Sequence, residues 1–98
     1  MSNEIILTEL WRAIESRIRN PSPDSYVSRL INDEKGIDKI LEKVAEESTE
    51  FILAVKNGVH DVSVSEAADL FFHILVALYS AEITLDEVMD ELSKRRKK

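Results

Sequence analysis

Five carboxylates fall in two short groups along this 98-residue chain: Glu46, Glu47 and Glu50, then Glu66 and Asp69. At about 100° per residue, Glu47 and Glu50 lie about 60° apart around a helix and one turn along it. Both can therefore point at one spot. Glu66 and Asp69 stand in the same i, i+3 relation. Clustered carboxylates repel one another and hold together best around a hard divalent cation. An all-oxygen set favours Mg²⁺ or Mn²⁺ over zinc. Such a cation commonly keeps positions for phosphate oxygens, so a phosphate-bearing substrate would complete its shell.

The surroundings of both groups matter. Lys39 and Lys43 share the face of the first group, which adjoins an apolar stripe instead of lying opposite it. That placement suits a cleft wall. From Ala67 to Tyr79 the sequence is apolar except at Asp69 and His73. A helix apolar all round is one covered on most sides, and an aspartate there is expected to lose hydration, at a cost unless a cation or donors compensate. Glu66, Asp69 and His73 form one stripe at spacings of three and four.

Each feature alone also has a structural explanation. Glu46, Glu47 and Glu50 could be a solvated face pairing with Lys39 and Lys43. Glu66 could be the capping-box partner of Ser63. Asp69 could be satisfied by a local donor, and His73 could be a core histidine with a hydrogen-bond partner. Only a metal site gives the whole stripe a shared cause.

The elements that must position these groups are helices. Leu7, Leu10, Trp11, Ile14 and Ile18 make an apolar stripe over a helix from about Glu4 to Arg19. Asn20-Pro21-Ser22-Pro23-Asp24 breaks it. A short helix over about 24–33 follows, with Tyr26, Leu30 and Ile31 inward. The third helix is read over 37–56, with Ile37, Ile40, Leu41, Val44, Ser48, Phe51 and Val55 as its core stripe. Asn57-Gly58 stops it, and 59–62 is read as a loop. A fourth helix is expected over 64–80, opened by Ser63 or Ser65. A fifth is expected from Thr84, with Glu87 completing a capping box and Leu85, Val88 and Leu92 inward.

Composition narrows the function classes. Length allows one domain, residues 1–98, with a thin core that makes oligomerisation plausible. There is no cysteine, which excludes thiolate metal sites and disulfides and fits a cytoplasmic protein. No apolar run of membrane-spanning length is read, and Met1-Ser2-Asn3-Glu4 lacks signal-peptide character. The net charge is −6; the basic tail 94–98 carries +5, leaving −11 on the body. An acidic body argues against nucleic-acid binding. The tail reads as a helix end suited to the dipole and then frayed, at least beyond Arg95.

Glu46-Glu47-Ser48-Thr49-Glu50 followed by Glu66-Ala67-Ala68-Asp69 resembles the EExxE…ExxD signature of the all-α nucleoside triphosphate pyrophosphohydrolases, the MazG-like superfamily. The flanks Ser25-Tyr26, Lys39-Ile40, Lys43-Val44-Ala45, Leu70-Phe71-Phe72-His73, and Glu91-Leu92 with Arg95 are similar to the phosphoribosyl-ATP pyrophosphatase family. Ala45 departs from it, where glycine is expected.

The resemblance implies an all-α bundle of about five helices, with a four-helix core completed in a homodimer. It implies Mg²⁺-dependent hydrolysis of the α–β phosphoanhydride of phosphoribosyl-ATP. Glu47, Glu50, Glu66 and Asp69 would hold the metal, and Glu46 would be a further metal or water-orienting carboxylate. Lys39, Lys43, Arg29 and Arg95 are candidates for phosphate charge, and His73 for contacting substrate or supporting Asp69. Two other readings stay open: a MazG-like or dUTPase-like pyrophosphatase on another nucleotide, and a non-catalytic dimeric helical module.

Overall fold

A computed structural model describes residues 3–97; Met1 and Ser2 at the start, and Lys98 at the end of the basic tail, lie outside the described residues. The described residues form five helices and no strand: α1 (Ile6–Arg19), α2 (Tyr26–Ile31), α3 (Ile37–Lys56), α4 (His60–Ser80) and α5 (Leu85–Arg95). The all-α expectation holds.

The α1 stripe packs as its spacing requires, with Ile14 buried and Leu7, Leu10, Trp11 and Ile18 against the core. Ser25 caps α2 by accepting from the Ser28 amide. Val27, Ser28 and Leu30 of α2 are buried, and the Ser28 hydroxyl donates to the Arg17 carbonyl at 2.9 Å, which ties α2 to α1. Tyr26, expected inward, is 41% exposed. Gly36 enters α3 with φ 61° and ψ −136°, a conformation essentially restricted to glycine.

The dominant packing is α3 against α4. The short turn through Gly58 makes them an antiparallel pair. The buried line on α3 is Ile40, Glu47 and Ala54 at seven-residue spacing. Val44, Ser48 and Phe51 flank it, half-buried, while Ile37, Leu41 and Val55 of the expected stripe are exposed. The helix is thus turned so that the line holding Glu47 faces inward.

α4 begins four residues earlier than expected. Nothing after Gly58 breaks a helix, and Asp61 in its first turn suits the dipole. Residues 60–62 are therefore helical. Ser63 is no cap, since its hydroxyl donates back to the Val59 carbonyl at 2.7 Å. This places Glu66 well inside the helix and removes a capping-box role for it.

α4 also corrects the reading of apolar length. Its 21 residues are long and apolar enough to cross a membrane by length and composition alone. It is not covered on most sides within one chain: Phe71 and Ile74 are exposed, and only His73, Leu75 and Val76 are buried. At α5 the capping box of Thr84 and Glu87 forms as the spacing predicts. Leu85 is buried and Val88 half-buried, but Leu92 is exposed.

Candidate active site

The antiparallel α3–α4 pair brings the two carboxylate groups to one place. Glu47, Glu66 and Asp69 each present an oxygen within 4.8 Å of the other two. Their environments differ from expectation. The group that loses water is Glu47, at 7% exposure, while Asp69 is exposed and Glu66 half-buried. The cause is the rotation of α3, which puts the Ile40–Glu47–Ala54 line inside, whereas Asp69 holds an exposed position on α4.

Two oxygens in the cluster, Glu47 Oε2 and Glu66 Oε2, are out of solvent and have no hydrogen-bond partner. Buried polar atoms are almost always paired. An oxygen left bare on each of two adjacent carboxylates suits a cation between them. The site therefore fits a hard divalent ion on its own geometry.

Glu50 joins through Glu66. The hydrogen bond to Glu50 that a protonated Glu66 gains is the largest cause that pushes the Glu66 pKa up to about 7. Burial comes next, then the Glu50 charge and a hydrogen bond and charge from Glu47. Crowded like charges keep a proton among these groups until a cation displaces it. A cavity of 310 Å³ beside Glu50 and Glu66 is lined by Leu53, Ala54, Val59 and Val62.

Glu46 pairs with Lys43 and is not one of the three carboxylates that meet. Lys43 Nζ donates to Glu46 Oε2 at 3.1 Å and lies 3.6 Å from Glu47 Oε1. The Glu46 hydrogen bond is the main cause raising the Lys43 pKa. Lys39 and Lys43, one turn apart on α3, line one cavity of 230 Å³ together with Arg29 and Tyr26 of α2 and Asp33. Arg29 is partly committed, donating to the Pro23 carbonyl at 2.9 Å. Arg95 is exposed on α5, ion-paired with Glu91 at 3.3 Å, and is not among the residues lining that cavity.

His73 is 5% exposed and fully engaged. Its Nδ1 lies 2.8 Å from the Asp69 carbonyl and its Nε2 lies 2.8 Å from the Tyr26 hydroxyl. The ring also meets Tyr26 and Phe72 edge to face. Tyr26 belongs to the Ser25-Tyr26 flank of the family resemblance, which points to the base and phosphoribosyl pocket but gives it no partner. It is separated from His73 by 47 residues, so no local spacing could link them. A larger cavity of 580 Å³, beside Trp11, Ile31, Ile37 and Tyr79, holds none of the clustered carboxylates. That cavity has one unpaired buried atom of its own, the neutral hydroxyl of Ser80, whereas the carboxylate cluster has two, both on acids, so the chemistry belongs with the carboxylates.

Comparison with known proteins agrees with this geometry. The profile of the family described as phosphoribosyl-ATP pyrophosphohydrolase matches residues 7–96. The chain is similar to a protein of Methanoregula boonei named phosphoribosyl-ATP pyrophosphatase, 60% identical over 94% of this chain and 88% of the relative. It is 55% identical to one of the same name from Methanoculleus marisnigri, over 94% of this chain and 95% of that one. A third, from Methanosphaerula palustris, is 54% identical over 99% and 98%.

Proposed function

The chain belongs to the phosphoribosyl-ATP pyrophosphohydrolase family, and we infer that it hydrolyses the α–β phosphoanhydride of phosphoribosyl-ATP in histidine biosynthesis. Water adds to phosphorus, the bridging P–O bond breaks, and phosphoribosyl-AMP and pyrophosphate separate. The observation that carries this reading is the meeting of Glu47, Glu66 and Asp69 within 4.8 Å, with two buried oxygens bare.

Glu47, Glu50, Glu66 and Asp69 are the residues that would hold Mg²⁺, with Mn²⁺ a workable substitute. When bound, the ion neutralises phosphate oxygens and polarises phosphorus. The remaining work falls to the chain itself. We assign Glu47 and Glu50, with Glu46 reached across Lys43, to orient water or accept its proton. Lys39, Lys43 and Arg29 gather positive charge in one cavity for the phosphate oxygens that the ion does not meet. His73 donates to the backbone of Asp69 and so fixes the turn of α4 that presents it. Arg95, at the end of α5, is assigned an outer phosphate contact.

The active form is proposed to be a cytoplasmic homodimer. Leu53 is 55% and Phe71 56% exposed on the two core helices. Apolar side chains in this number on facing helices suit burial against a second copy, which completes a four-helix core. The residues 1–98 then act as one domain.

The test is pyrophosphate release from phosphoribosyl-ATP with and without Mg²⁺, in the wild type and in Glu50→Gln and Asp69→Asn. Loss of release in both variants with the helical fold retained is expected. Wild-type rates in both would sink the assignment. Faster hydrolysis of dUTP, dCTP or ATP than of phosphoribosyl-ATP would move the chain to another substrate within the superfamily.

A further inference from the structure

The hydrogen-bond polarity around Tyr26 determines what that residue can recognise. The Asp69 carbonyl oxygen only accepts, so His73 Nδ1, 2.8 Å away, carries the proton of that contact. In the neutral ring with its proton on Nδ1, Nε2 holds a lone pair and no proton. Tyr26 Oη, 2.8 Å from Nε2, must therefore donate. Burial raises the phenol's pKa; Lys43 works against this, and the charges of Glu47, Glu46 and Asp69 reinforce it. The phenol thus keeps its proton. A phenol has one hydrogen, and here it is committed to His73. Toward the cleft the oxygen offers lone pairs only.

Tyr26 stands between two cavities. One is the 230 Å³ space with Lys39 and Lys43, and the other is a 490 Å³ space with Arg17, Asn20, Ser22 and Ser25. A phosphate oxygen carries lone pairs and no proton, so it gains nothing from Tyr26 and belongs with the lysines. A sugar hydroxyl can donate. His73 follows Asp69 by one turn, about 6 Å along α4, a span comparable to that from an α-phosphate to the ring hydroxyls of its own ribose. The near edge of the base offers no N–H or O–H donor, and its exocyclic amine lies farther off.

We propose that Tyr26 accepts a hydrogen bond from a hydroxyl of the ribose that carries the triphosphate, and is a specificity-determining residue for ribonucleotide substrates. This rests on the pyrophosphohydrolase reading above. His73 is then a positioning residue that fixes the direction of the Tyr26 hydroxyl.

The experiment compares kcat/KM for phosphoribosyl-ATP with analogues lacking the 2′- or the 3′-hydroxyl of the triphosphate-bearing ribose, and with one deoxygenated in the phosphoribosyl ring. Wild type is expected to lose roughly 3- to 10-fold on one of the first two, the scale of one neutral hydrogen bond. Tyr26→Phe is expected to lose as much on phosphoribosyl-ATP and to treat that analogue no worse. Equal rates on all analogues in the wild type overturn the proposal. So does full discrimination in a folded Tyr26→Phe, or discrimination confined to the phosphoribosyl ring. If Tyr26→Phe does not fold, the wild-type comparison alone decides. If wild type hydrolyses none of these compounds, the parent reading fails. Calorimetric affinities for ATP, 2′-dATP and 3′-dATP then decide the Tyr26 assignment, with equal affinities overturning it.

Discussion

Glu47 on α3 and Glu66 on α4 approach within 4.8 Å across the helix pair, each with its Oε2 out of solvent and unpartnered. Two like charges this close destabilise the fold that holds them. The relation suits a site that holds a cation, as proposed above. The conflict between stability and function makes the site testable by substitution, by pH and by metal.

Glu47→Gln removes one of the two charges and keeps the side-chain shape. Without metal it is expected to raise the melting temperature by about 4–8 °C, the shift that 1 kcal/mol gives a domain of this size. Pyrophosphate release with Mg²⁺ is expected to fall at least about 10²-fold, the scale of removing one transition-state electrostatic stabiliser. Thermal melts in EDTA and a turnover assay read the two effects. A variant that is less stable and equally active contradicts the cluster's role.

The pH dependence follows from Glu66, whose pKa is about 7 in the fold against an ordinary 4.5. Between these values the native state holds a proton that the unfolded chain has lost. Metal-free stability should therefore fall as pH rises from about 4.5 to 7, and level off above 7. Binding of Mg²⁺ displaces that proton, so the Mg²⁺-induced rise in melting temperature should be larger at pH 8 than at pH 5.5. Melts at the two pH values, with EDTA and with Mg²⁺, measure it. An equal rise at both would remove Glu66 from the metal site.

Phe71 lies on α4 only two residues before His73, yet it is exposed while His73 is buried. Phe71→Asp places a charge on the apolar face assigned to the second copy. Sedimentation is expected to show a monomer for this variant and a dimer for the wild type. A wild-type monomer at micromolar concentration, still active, would leave the exposed face without its proposed partner.

The sequence by itself determined the helices and the pairing of carboxylates within each. Proline and glycine end helices whatever surrounds them, so α1 and α3 stop where Asn20-Pro21 and Asn57-Gly58 stand. The Thr84–Glu87 capping box is a contact between near neighbours and was legible for the same reason. The i, i+3 spacing of Glu47 with Glu50 and of Glu66 with Asp69 is a property of any helix.

Only the tertiary structure decided which face of each helix went inside. Apolar residues surround much of α3, so periodicity left its rotation open. Packing against α4 selected the line Ile40, Glu47 and Ala54 and left Leu41 and Val55 exposed. The same packing buried Glu47 instead of Asp69. The Tyr26–His73 bond, across 47 residues, depends on how α2 settles over α4. Local spacing fixes what one helix can present; burial and long-range hydrogen bonds arise only when separate helices meet.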